Sequence, residues 1–155
     1  EKLRDAGFVA PFCSLEQLGK LIGSFPPLIG YNMENKLNGL QTWVGVSRTQ
    51  ALEMVLSYPK IVGVNAERTV GPAAQFLLLH NENITVSYLA EHPRVLTRSL
   101  ERCLQPRVER LNEIGKKQWA PTSLVSLSDR GFQEKYGRLG DPPPPEKKNA
   151  DKTPD

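Results

Sequence analysis

SFPPLIGYNMENKLNGLQTWV (Ser24–Val44), SYPKIVGVNAERTVGPAAQFL (Ser57–Leu77) and EHPRVLTRSLERCLQPRVERL (Glu91–Leu111) superimpose when anchored on Pro26, Pro59 and Pro93. The anchors lie 33 and 34 residues apart. An aromatic ring or imidazole precedes each one: Phe25, Tyr58 and His92. Apolar pairs follow at two and three positions beyond it: Leu28/Ile29, Ile61/Val62 and Val95/Leu96. Eight positions beyond come Glu34, Glu67 and Glu101; eleven beyond come Leu37, Val70 and Leu104. Gly39, Pro72 and Pro106 lie thirteen beyond, and Val44, Leu77 and Leu111 eighteen beyond. A period in the low thirties is the signature of a helical repeat array.

Each unit reads as two helices and a turn. Before the first anchor, Leu15, Leu18, Leu21, Ile22 and Phe25 recur at three- and four-residue steps, with Ser14 as N-cap. Thr49 and Asn83 are the corresponding caps expected in the next two units, and Ile84, Tyr88 and Leu89 the third unit's buried stripe. The anchor proline has no N–H and restricts the residue before it, so it stops that helix. A short turn carries the apolar pair. Second helices are expected over 37–44, 69–79 and 104–114, with Pro72 and Pro106 in the first turn, where the missing donor costs little. Leu104, Val108, Leu111 and Ile114 form the core stripe of the last one.

Beyond Gly115 the pattern changes. Trp119, Leu124, Val125 and Leu127 lead to a short helix capped by Ser128 or Asp129 and presenting Phe132 and Tyr136. The segment 119–138 therefore reads as a cap on the array. The fold expected is all-α: a curved superhelical array of about three units over residues 1–138, then a Pro-rich polar tail over 139–155.

Charge is concentrated rather than abundant. Among 155 residues, 20 Lys and Arg face 17 Asp and Glu, for a net of +3. All of that excess falls within 91–120, where Arg94, Arg98, Arg102, Arg107, Arg110, Lys116 and Lys117 outnumber Glu91, Glu101, Glu109 and Glu113. These seven cations are the candidate nucleic-acid contacts. Two cysteines and two histidines exclude a cysteine-based zinc site and a disulfide framework. No apolar run reaches the roughly 20 residues that cross a bilayer. The first residue is Glu1 rather than Met, which reads as a processed or partial chain whose transit peptide is removed or missing.

No catalytic constellation emerges. Dinucleotide, Walker and H-E-x-x-H motifs are all missing from the sequence. Cys103 reads as a packed helical cysteine and His92 as a junction residue in a position aromatics hold elsewhere. Glu34, Glu67 and Glu101 suit helix N-termini, a scaffold role. The protein is expected to be no enzyme and to need no cofactor or metal.

HPRVLTRSLERCLQPRVERLNEIG (92–115) and SLVSLSDRGFQEKYGRL (123–139) resemble the last repeat and C-terminal end of the mitochondrial transcription termination factor (mTERF) family. The resemblance covers roughly residues 1–138. It implies a superhelical all-α fold, an organellar address in the mitochondrial matrix or a chloroplast, and binding of double-stranded DNA or structured RNA. Family roles include transcription termination, transcript processing and ribosome assembly. Double-stranded DNA is the weaker fit. Where the third unit has Arg94, Arg98 and Arg107, the first two have Pro27 and Lys60, Tyr31 and Val64, and Leu40 and Ala73. A short module with one basic patch better suits the shape of folded RNA. The expectation is a subunit of an organellar ribosome that touches ribosomal RNA and neighbouring proteins. A free DNA- or RNA-binding factor and a protein-only scaffold are the alternatives. A scaffold would pair Arg98 and Arg102 with carboxylates.

Overall fold

A computed structural model of the chain describes residues 1–8 and 13–145. It is all-helical, with no strand among the described residues. The α-helices are α1 (Lys2–Asp5), α2 (Leu15–Ser24), α3 (Met33–Val44), α4 (Arg48–Ser57), α5 (Gly71–His80), α6 (Val86–Glu91), α7 (Gln105–Glu113), α8 (Pro121–Ser126) and α9 (Asp129–Tyr136). None of the described helices is long and apolar enough to cross a membrane.

Helix, 3-10 helix, helix is the order in each proline-anchored unit. The first helices α2, α4 and α6 end on Phe25, Tyr58 and His92, and the next residue opens a 3-10 helix: Pro26–Gly30, Pro59–Gly63 or Pro93–Thr97. Phe25 and Tyr58 have nearly the same backbone, φ −146 ψ 77 and φ −144 ψ 79, so the same side-chain and proline pair makes the same corner. Each 3-10 helix buries the apolar residue two places after its proline: Leu28, Ile61 and Val95. Successive 3-10 helices pack on one another, as do α3 with α5 and α4 with α6.

Ser14 caps α2 as expected, and Ser47 caps α4 in the same way, each in a capping box with a glutamine three residues on. Thr49 and Asn83 are not the caps. Ser47 and Thr85 accept the N3 amides of their helices instead. In the third unit the residue twelve before the anchor is Asn81, which is buried and otherwise employed. Its side-chain amide donates to Trp119 O at 2.8 Å and its Oδ1 accepts from Asn83 N. The helix there starts about one turn late.

Second helices begin earlier than expected. Asn32, Asn65 and Ser99, six places beyond each anchor, accept the N–H of Asn35, Arg68 and Arg102 and open the helices at Met33, Ala66 and Leu100. Glu34, Glu67 and Glu101 thus occupy first turns, where the helix dipole favours them. Pro72 and Pro106 stand in the first turn of α5 and α7, as expected. Each is preceded by a π-helical turn, Ala66–Val70 or Leu100–Leu104, in which Val70 N reaches Asn65 O and Leu104 N reaches Ser99 O. Proline cannot donate to the carbonyl four residues back, and its ring collides with it; widening the turn accommodates both facts. The first unit has Gly39 at this position, and α3 is regular throughout.

Leu37, Val70 and Leu104 are fully buried, joined by Val44, Leu77 and Leu111. Val108 is buried and Ile114 half-buried, as the stripe required. Over the third unit, α8 packs on the 3-10 helix Pro93–Thr97 and α9 on α7. Ser128 caps α9 by accepting from Gly131 N, and Phe132 is buried. The segment 139–142 is not detached from this end, because Arg110 and Glu113 hold it, as described next. The remainder of the expected tail, 146–155, lies outside the described residues.

Candidate nucleic-acid interface

The seven cations of the basic segment divide into two groups. Arg107 and Arg110 are buried and occupied internally, which removes them from the candidate contacts. Arg107 stands fourteen places beyond its anchor, where Leu40 and Ala73 are core residues. Its guanidinium donates to Leu124 O and, at 2.9 Å, to Leu127 O, the orphan carbonyls at the end of α8. It also pairs with Asp129 at 2.6 Å, in the first turn of α9, and lies over the Phe132 ring. One side chain thus ties the end of α8 to the start of α9.

Arg110 is 1% exposed. Its Nε donates to Tyr136 O at 2.8 Å, at the end of α9, and its Nη1 to Glu113 at 2.6 Å and Asp141 O at 2.8 Å. Nη2 donates to Pro142 O at 3.2 Å. Glu113 also accepts from Gly140 N at 3.1 Å. The Arg110 hydrogen bond, then the Gly140 N–H, hold the Glu113 carboxyl below the ordinary glutamate range. Gly137 turns the chain with φ +77, and a Cβ there would stand 2.6 Å from Arg110 Nη2. The geometry repeats an earlier one: Trp43, seventeen places beyond its anchor like Arg110, lies against Gly71 of the next unit.

Arg94, Arg98, Arg102, Lys116 and Lys117 are exposed and have no ion pair among the described residues. Arg94 belongs to the 3-10 helix Pro93–Thr97, Arg98 follows it, and Arg102 lies in the π-turn. Lys116 and Lys117 line a groove of about 500 Å³ with Trp119, Ser123 and Tyr136. Arg102 lines a second groove, of about 430 Å³, with Arg107, Arg110, Phe132 and Arg138. The patch is therefore not one continuous track; α9 separates its two ends.

Two cations, Arg68 and Arg138, escaped the sequence reading, and Lys60 entered it only as the counterpart of Arg94. Lys60 and Arg68 are exposed, unpaired among the described residues, and hold the same unit positions as Arg94 and Arg102. The elements that carry Lys60 and Arg68 both pack on the 3-10 helix that carries Arg94, so the cationic surface reaches into the second unit. The proline alignment held this signal one place beyond the anchor for Lys60 and nine places beyond it for Arg68. Arg138 was hidden by the zero net charge of 121–155. Exposed Glu67 and Glu101, next to Arg68 and Arg102 in sequence, temper the local potential.

Both thiols are held toward the protonated form. Burial pushes the Cys103 thiol up, with the guanidiniums of Arg107 and Arg98 opposing it, and burial also raises Cys13. No group of His, Cys, Asp or Glu among the described residues could hold a metal ion. Trp119 is buried rather than offered for base stacking, and its Nε1 is without a hydrogen-bond partner.

Comparison with known proteins agrees with this architecture. A family model, mTERF, matches residues 12–133. No curated protein and no solved structure matches the chain.

Proposed function

The chain belongs to the mTERF family, and from that premise we propose that it is a structural, non-catalytic subunit of an organellar ribosome that contacts structured RNA. The family suggests nucleic-acid-binding helical-repeat proteins that are typically organellar. The finer reading places the protein in the mitochondrial matrix, with a chloroplast as the other possible address. It describes the domain as a curved array of about three units over 1–138, closed by the cap and by the segment that Arg110 retains.

One observation carries the nucleic-acid reading over a protein-only scaffold. Arg94, Arg98, Arg102, Lys116 and Lys117 remain exposed without carboxylate partners among the described residues, while the cations needed for packing are already paired. Unneutralised guanidinium and ammonium groups bind phosphates and displace their counterions without reading bases. A short module with cations on several elements suits the shape of an A-form element. The free-factor reading draws support from Lys60 and Arg68, which lengthen the cationic surface.

The test is size-resolved fractionation of an organelle lysate, with and without RNase, following the chain by mass spectrometry. Co-migration with a ribosomal subunit that collapses after RNase is the expected result. Migration as a small free species sinks the ribosomal assignment in favour of the free factor. Migration in an RNase-resistant complex favours the scaffold.

A further inference from the structure

The groove between α7 and α9 has an uneven charge balance. Four arginines line it: Arg102, Arg107, Arg110 and Arg138. Asp129 neutralises Arg107 and Glu113 neutralises Arg110. Asp141 spends one carboxylate oxygen on the backbone N–H of Arg138, at 2.8 Å, rather than on its guanidinium. That guanidinium has only the neutral amide of Gln133, at 3.4 Å. Arg102 has no ion pair among the described residues. Two guanidiniums without an ion pair among the described residues therefore share one groove, and donors of this kind match phosphate oxygens in geometry and charge. Pro106 and the exposed Leu139 add an apolar wall, suited to a sugar or base edge.

We infer that this groove seats a strand of the bound nucleic acid, with Arg102 and Arg138 as its phosphate contacts. The inference rests on the nucleic-acid reading above and extends it to the cap. Its rationale is the placement of α9. Phe132, Gln133 and Gly137 line this groove, while Tyr136 of the same helix lines the groove of Lys116 and Lys117. A polyanion lying across the end of α9 meets cations on both sides. An acidic peptide is the competing occupant, and cations on both sides of α9 favour the strand, whose charges recur along its length.

The test is fluorescence anisotropy of a labelled RNA hairpin with the full chain, over a series of salt concentrations. The proteins are the wild type, Arg102→Gln, Arg138→Gln and, as control, Lys20→Gln, whose lysine pairs with Glu16 on α2. Each groove variant should weaken binding several-fold and lower the slope of log K against log salt by about one, with Lys20→Gln unchanged. Wild-type slope and affinity in Arg138→Gln overturn the groove while leaving the nucleic-acid reading intact. A wild type that binds no hairpin overturns both. A second readout is independent of variants: the side-chain Nε–H resonance of Arg138 should move on adding the hairpin. If decaglutamate moves it and the hairpin does not, the occupant is a peptide and the inference fails.

Discussion

Arg102, Arg107 and Arg110 lie within nine residues and share one chemistry, yet the fold uses them in opposite ways. What differs is the position within the unit. Arg102 follows the helix N-cap and faces solvent, while Arg107 replaces residues that are core in the other units. Buried guanidinium is tolerated when every direction it points in holds an acceptor, and Arg110 meets that condition with three carbonyls and a carboxylate. Arg110→Met should therefore cost about 3 kcal/mol in urea unfolding, because it orphans those acceptors. Glu113 adds a pH dependence. Its folded pKa is depressed, so its contribution is complete above the ordinary glutamate pKa and is lost as pH falls through the folded value. The urea midpoint should drop on acidification below the glutamate range, and Glu113→Gln should show a smaller drop. The cationic stretch was legible in the sequence; its division was not. Leu40 and Ala73 at the position of Arg107 signalled a core site, but charge counting treats every arginine as surface.

At the level of elements, the proline anchors were legible because proline acts locally, through its own missing donor and fixed φ. The second helices start three or four residues before the positions that periodicity suggests. Glu34, Glu67 and Glu101 were recognised as N-terminal carboxylates, but the Asn32, Asn65 and Ser99 caps two residues earlier were not used to set the boundary. The π-turns were out of reach, since a proline thirteen places beyond the anchor suits a helix start equally well. They make a sharp prediction. Gly39 occupies that position inside a regular α-helix, so Gly39→Pro should cost about 3 kcal/mol although the other two units carry proline there. Thermal or urea unfolding followed by helical circular dichroism measures it. A loss well under 1 kcal/mol would mean that α3 can adopt the widened turn at little cost.

Across the whole molecule, the repeat pattern and the mTERF match agree, because packing between adjacent units forces the same residue classes to recur. The ends of the chain depart from that pattern in different ways. Arg107 and Arg110 bind the C-terminal cap to the third unit, and Asn81 secures Trp119 from the other side. At the opposite end, α2 buries only Leu21, and Leu15 and Ile29 are 72% and 57% exposed, although Val62 and Leu96, the counterparts of Ile29, are buried. Unequal anchoring of this kind grades the free energy of opening along the chain. Amide protons of α2 should exchange with solvent deuterium fastest among the longer helices, those of α5 and α7 slowest, and Arg110→Met should accelerate α7 and α9 without touching α2. Tethered by its two ends and stretched, the protein would then unravel from the α2 side, with the third unit and its cap the last to let go.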